Sequence, residues 1–289
     1  YPASYVQVAG NSIVTMPVLK PVPKPSSVRI QFSAGKVKDL LWMLYRELSI
    51  IDPNIRTYDS LNKQAQHEVL KLFKSPIKAI DKEIKGFTGC PASGKTTTIV
   101  KTCNKSWKVI VPYSSLLTEY REKGFSGSTH VAGILKKYDK VMLDEVFALS
   151  PGLFMYYLYT AEEIMVIGDP YQMEFADDAK IYQQIKVSKL FDYTKLTYLD
   201  VSFNVPQDVT AYLNSTYYKD RPFKSASAVV NSVVWKTEHP DEGTPVLCYT
   251  RRYLHDHKNA RTVASVQGLR THDTHMILDS GCGTLIRKA

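Results

Sequence analysis

The sequence predicts an α/β fold of two parallel-sheet domains preceded by a small accessory region, on three observations. Short apolar strand-like runs alternate with helical stretches, the pattern of a sheet covered on both faces. A glycine-rich turn, GFTGCPASGKTTTIV at residues 86–100, joins one such run to a helix. The alternation then begins again after about residue 195. The expected domains are residues 1–80 (accessory), 81–195 (first α/β domain) and 196–289 (second).

Residues 1 to about 35 are rich in proline, serine and valine, including PVLKPVPKPSSV, and read as an extended, loosely packed entry segment. From Val37 to Leu72 the apolar residues Leu40, Leu41, Met43, Leu44, Leu48, Val69 and Leu70 recur at helical spacing, and Pro76 closes that stretch. Strand-like IKGFTG, WKVIVPY, KVMLDE and EIMVIGD follow, with a helix after the glycine turn and another across Leu116–Lys123. The second series is KLTYLDVSF, a helix through Val209–Tyr217, TPVLCYT and HMILD.

Gly89, Gly94, Lys95 and Thr96 meet the pattern G-x-x-x-x-G-K-[ST]. Glycines let the backbone curl so that N–H groups point at phosphate oxygens, and the helix that follows adds its positive end. The candidate nucleotide-binding residues are Gly89, Cys90, Pro91, Ala92, Ser93, Gly94, Lys95, Thr96 and Thr97. Lys95 is expected at the β- and γ-phosphates and the Thr96 hydroxyl on Mg²⁺. Asp144 and Glu145 end the apolar run KVML, where a strand's carboxyl end frees the next side chain to turn toward the site. Asp144 is the expected second Mg²⁺ residue, and Glu145 the base for an attacking water. In MVIGDPYQM, Gln172 has an amide that can donate to a γ-phosphate and accept from water.

The formal net charge is +9, from 37 lysines and arginines against 28 acids, which favours an anionic partner. Cys90, Cys103, Cys248 and Cys282 lack metal-ligand spacing, so free thiols in a reduced compartment are expected, with Cys90 a small filler in the loop. No apolar run approaches the ~20 residues of a membrane span. Opening on Tyr1 without a leader pattern, the chain reads as a piece of something longer.

Taken together, Gly89–Thr96, Asp144-Glu145, Gly168-Asp169-Pro170 with Gln172, and the TVASVQG run at 262–268 stand in the order of a superfamily 1 helicase. Residues 84–289 resemble the helicase domain of alpha-like positive-strand RNA virus replicases, the group of tobamoviruses, hepatitis E virus and insect tetraviruses; SFNVPQDVTAYLN and VLCYTRR add to the likeness. The resemblance implies two RecA-like domains with ATP or another NTP and Mg²⁺ between them, and 5′→3′ unwinding of RNA in the host cytoplasm at viral replication complexes. It also implies sister replicase domains such as a capping enzyme and an RNA polymerase, and in many members removal of an RNA 5′ γ-phosphate. Gln267 and Gly268 would join the nucleotide site.

Single-stranded and duplex RNA are the expected partners, with Tyr113, Ser114, Thr129, His130, Tyr249, Thr250 and Thr262 as candidate contacts. One departure stands out. Where the group carries an arginine directed at the γ-phosphate, this chain has Asn204. Arg287 is a candidate for the last motif's arginine, the alternative being that this motif lies past Ala289; Arg251, Arg252 and Arg270 are further candidates. Beside a helicase, two readings stay open: an RNA 5′-triphosphatase for capping, and an RNA-binding movement or assembly protein that uses NTP as a switch.

Overall fold

The computed structural model describes residues 4–8, 12–16, 22–50, 58–230, 232, 246–248, 260–262 and 275–277. Contacts divide the chain into Tyr1–Ala228 and Val229–Ala289, rather than at the expected residues 80 and 195.

In the first unit a hairpin of β1 (Ser4–Val8) and β2 (Ser12–Met16) precedes β3 (Ser26–Phe32). Residues 26–32 are therefore not a loose entry segment. β3 runs antiparallel to β4 (Ile80–Gly89), from Ser26 opposite Gly86 to Phe32 opposite Ile80. Next comes α1 (Ala34–Leu48), capped by Ser33, whose Oγ accepts from the Lys36 N–H at 3.2 Å. Its Val37, Leu40, Leu41, Leu44 and Leu48 make one buried stripe. α2 (Tyr58–Leu72) contributes Ala65 and Val69 to the same core.

Beyond β4 the chain alternates: α3 (Lys95–Thr102), β5 (Lys108–Val111), α4 (Ser114–Glu122), β6 (Ser126–Thr129), β7 (Lys140–Leu143), α5 (Pro151–Thr160) and β8 (Glu163–Gly168). The strands form one sheet in the order β3-β4-β8-β7-β5-β6, parallel except for β3. The chain crosses from β4 past the places of β8 and β7 to β5, moves out to β6 and returns through β7 and β8, and open α/β sheets of this kind bind ligands at the carboxyl ends of their strands. α5 carries no polar face. It starts on Ser150 as N-cap with Pro151 in its first turn, and is buried from Pro151 to Leu158.

β9 (Thr197–Leu199) pairs parallel with the last residues of β4, so the stretch expected to open the second domain completes the first sheet. It leads to β10 (Val201–Ser202), α6 (Gln207–Thr216) and β11 (Lys224–Ser225), which pairs with β10. In the second unit β12 (Val246–Cys248) lies between β13 (Ala260–Thr262) and β14 (His275–Ile277), all parallel.

One face of the large sheet packs Ile84, Val166 and Leu143 against α1 and α5; the other packs Ile167, Met142 and Val111 against Ile99 of α3 and Leu117 of α4. The α1–α5 contact is close: a Cβ added to Gly152 would meet Leu44 Cβ at 2.7 Å and its Cα at 3.0 Å. Gly152→Ala should therefore destabilise the protein by about 1–3 kcal/mol. Thermal denaturation followed by circular dichroism should show the loss as a lower unfolding midpoint, and an unchanged midpoint would mean that the α1–α5 contact yields without cost.

Candidate nucleotide site

Five parallel strands end on the same edge of the sheet and deliver their following residues to one place: the 90–94 loop after β4, Tyr113 after β5, His130 after β6, Asp144 after β7 and Asp169 after β8.

The loop after β4 is a curled backbone. Ala92 and Gly94 take positive φ of 53° and 78°, and Ser93 N–H donates to Cys90 O at 3.3 Å. A Cβ on Gly89 would sit 2.6 Å from Ser93 Oγ and 2.9 Å from Leu199 Cβ, so the loop closes this tightly only on glycine. Two backbone bonds tie it to β9 and the chain after it: Cys90 N–H to Leu199 O at 3.2 Å, and Phe203 N–H to Ala92 O at 3.0 Å. Lys95, first residue of α3, donates from Nζ to Gly89 O and Cys90 O, both at 3.0 Å. Cys90 is fully buried, and burial pushes its thiol up to about 12, which suits a filler and not a nucleophile.

Asp144 is 3% exposed. Its Oδ2 accepts from Tyr120 OH of α4 at 2.7 Å, and its Oδ1 from the Glu145 N–H at 2.8 Å. The Thr96 side chain lies near the Tyr120 hydroxyl, so the two expected Mg²⁺ residues gather about one phenol. Glu145 stands in the left-handed region at φ 49°, ψ 47°, a conformation costing about 1–3 kcal/mol outside glycine. Burial first, and then the charge of Asp144, push its carboxyl up to about 7, while Lys95 pulls the other way. Asp169 is buried too. Its Oδ2 accepts from Tyr218 OH at 2.6 Å and from Gln172 Nε2 at 3.2 Å, and its Oδ1 from the Tyr171 N–H at 3.1 Å. Gln172, expected to face a phosphate, thus rests on the strand-end carboxylate.

These residues suit a nucleotide and its metal. Ser93 Oγ is buried without a hydrogen-bond partner among the described residues; the Cys90 sulfur beside it is too weak an acceptor to satisfy it, whereas a phosphate oxygen would. The cradle has no room for a Cβ at Gly89, and Thr96 with Asp144 offers a hard oxygen donor set of the kind Mg²⁺ takes. Pro91 and Thr97 flank the loop, Thr97 exposed on α3.

Of the expected RNA contacts, Tyr113, Ser114 and Thr129 lie on this edge. Val111 pairs with Thr129, and Ser114 is exposed at the start of α4. His130 departs from expectation. Its ring Nε2 is buried without a partner among the described residues, and burial lowers its pKa to about 3, so the imidazole is neutral and turned inward. Thr262 lies on β13 of the second unit. Tyr249, Thr250, Gln267, Gly268 and Arg287, with Arg251, Arg252 and Arg270, lie outside the described residues. Tyr120 and Tyr218 were missed from sequence, because nothing in a lone tyrosine on a helix or after one announces a carboxylate partner 24 or 49 residues away.

Residues 84–284 match the family model of the viral superfamily 1 RNA helicase core domain. The chain is 26% identical over 204 residues to the non-structural polyprotein pORF1 of a swine isolate of hepatitis E virus genotype 3, covering 70% of this chain and 11% of that polyprotein. Against the pORF1 polyprotein of avian hepatitis E virus it is 28% identical over 152 residues, 52% of this chain and 9% of the relative. The chain thus spans about a tenth of the curated relatives it matches. Among solved structures, the PRRSV helicase aligns with a TM-score of 0.53 at 18% identity, over 68% of this chain and 46% of that one. An arterivirus helicase, nonstructural protein 10 in complex with DNA, aligns with a TM-score of 0.50 at 17% identity, over 68% and 60%. At these identities the likeness shows the α/β helicase fold.

Removing the Tyr120 hydroxyl leaves a buried carboxylate oxygen short of a donor. Tyr120→Phe should lower the unfolding free energy by about 1–3 kcal/mol in chemical denaturation, and a loss under half a kcal/mol would mean that the bond to Asp144 carries no weight.

Proposed function

We propose, from the premise that this chain belongs to the viral superfamily 1 RNA helicase core family, that it is an NTP-driven RNA helicase and translocase moving 5′→3′, part of a viral replication polyprotein working in the host cytoplasm at replication complexes. The observation that carries the reading is the meeting of Lys95, Asp144, Glu145 and Asp169 with Gln172 around a glycine cradle at one sheet edge.

In this reading Thr96 and Asp144 hold Mg²⁺, which when bound offsets the charge of the phosphate oxygens. Lys95 Nζ exchanges the carbonyls of Gly89 and Cys90 for β- and γ-phosphate oxygens, a stronger, charge-assisted bond. Ser93 Oγ and the loop N–H groups take the remaining oxygens. Glu145, raised to about 7, accepts a proton from water as its oxygen bonds to the γ-phosphorus. The bond from that phosphorus to the bridging oxygen breaks, its electron pair stays on the β-phosphate, and NDP and inorganic phosphate leave. Gln172 orients the water and lets go of Asp169 to do so. Single-stranded RNA would cross the edge at Tyr113, Ser114 and Thr129.

A second reading, removal of an RNA 5′ γ-phosphate for capping, would use the same cradle. Phosphate release from 5′-triphosphate RNA, competed by ATP, would establish it. For the leading reading, single-stranded RNA should speed NTP turnover, less so as salt rises, because phosphate contacts weaken with counterion competition. Lys95→Ala should lower turnover by at least about a hundredfold. Equal turnover in that variant would remove the site assignment, and stoichiometric NTP binding without steady-state turnover would turn the protein into a switch.

A further inference from the structure

Asn204 is exposed and follows Phe203, whose N–H is bonded to Ala92 O, so the position where the resemblance expects an arginine lies beside the phosphate loop. An amide there brings no fixed charge. Further along the same segment, Arg221 reaches back to the loop's root. Its Nη1 donates to Oγ1 of fully buried Thr88 at 3.2 Å, and its guanidinium lies 4.3 Å from the centroid of the Tyr198 ring. The Tyr198 hydroxyl in turn donates to Arg221 O at 2.8 Å.

Thr88 immediately precedes Gly89, whose carbonyl holds Lys95 Nζ. Two cations therefore rest on consecutive residues of β4, each on a neutral acceptor, and among the described residues neither makes an ion pair. Like charges held on neutral acceptors repel each other, the Asp144, Glu145 and Asp169 carboxylates near Lys95 offset part of that repulsion, and a polyanion between the two cations would relieve the rest. The segment is anchored at the end of β8 as well, since Tyr218 shares Asp169 Oδ2 with Gln172. Arg29, by contrast, is committed to Asp81 near the other end of β4, with both bonds at 2.7 Å.

We propose that Arg221 supplies the charge missing at Asn204: with a triphosphate in the cradle, its guanidinium leaves Thr88 and bonds the γ-phosphate, stabilising that group as it passes from the β-phosphate to water. This rests on the NTPase reading above.

The test compares wild type with Arg221→Gln, Arg221→Lys, Thr88→Val and the double variant Arg221→Gln/Asn204→Arg. It reads RNA-stimulated turnover, affinity for a fluorescent nonhydrolysable triphosphate against the matching diphosphate, and thermal unfolding. Arg221→Gln should lower kcat by about 10²–10⁴-fold and flatten the preference for triphosphate over diphosphate; Arg221→Lys should fall between, lacking the planar fork. Adding Asn204→Arg should restore at least tenfold of the loss. Thr88→Val removes the resting acceptor but keeps the guanidinium, so it should stay within about threefold of wild type. The proposal is overturned if Arg221→Gln turns over within threefold of wild type. It is equally overturned if turnover falls with the triphosphate preference intact, or if Thr88→Val falls as far as Arg221→Gln, either of which makes Arg221 a clamp on β4. Should Arg221→Gln melt too early to assay, Arg221→Lys and Thr88→Val decide by the same criteria. Should wild type and Lys95→Ala turn over alike, the NTPase reading fails, whereas the triphosphate-to-diphosphate ratio still reports on Arg221.

Discussion

Burial of negative charge at the ends of parallel strands is the constraint around which this unit is organised. Asp144 and Asp169 are nearly inaccessible, and a carboxylate in such a place is costly unless donors surround it. Each receives a backbone N–H from its own turn and a tyrosine hydroxyl from an element distant in sequence: Tyr120 from α4 for Asp144, Tyr218 from beyond α6 for Asp169. Those two phenols fix α4 and the segment that follows α6. They also set the positions from which a metal ion and a phosphate would be met, so the stability of the unit and the geometry of its site share the same hydrogen bonds.

The cations follow from the same arrangement. Lys95 lies close enough to Asp144, Glu145 and Asp169 to oppose the upward push of burial on each, yet it bonds to carbonyls and not to a carboxylate. Strain collects nearby: Ala92 and Glu145 both hold positive φ, and the surrounding core of α3, α5 and the sheet keeps them there. A loop held tight by Leu199 and Phe203 is preorganised, which would reduce the ordering cost of binding a phosphate tail.

The segment 197–228 joins the site to the rest of the chain. It adds a strand to the first sheet, bonds twice to the phosphate loop, and sends Tyr218 and Arg221 to the residues that surround it. The chain passes into its second unit at Val229, directly after β11 and its pairing with β10. Asp169 and Thr88 are thus bonded to Tyr218 and Arg221, a few residues before that passage.

Much was legible without coordinates. Strand-like runs at IKGFTG, KVIV, KVML and EIMVIG were readable because each is short, apolar and bounded by turn residues, and the glycine loop because only a phosphate cradle asks for glycines, lysine and threonine at that spacing. α5 was silent, since PGLFMYYLYT is buried all round and shows no periodic polar face; β6 was silent because SGST carries no apolar run. Residues 26–32 looked loose beside a proline-rich stretch, and only pairing with β4 makes them a strand. The order of residues along the chain determined the candidate chemistry, because side-chain type and local spacing suffice to specify a loop suited to a phosphate. Tertiary structure alone decided which tyrosines hold the carboxylates, that His130 turns inward, and that Arg221 rests beside the cradle. Those are contacts between residues far apart in sequence, set by sheet order and packing, and no local pattern encodes them.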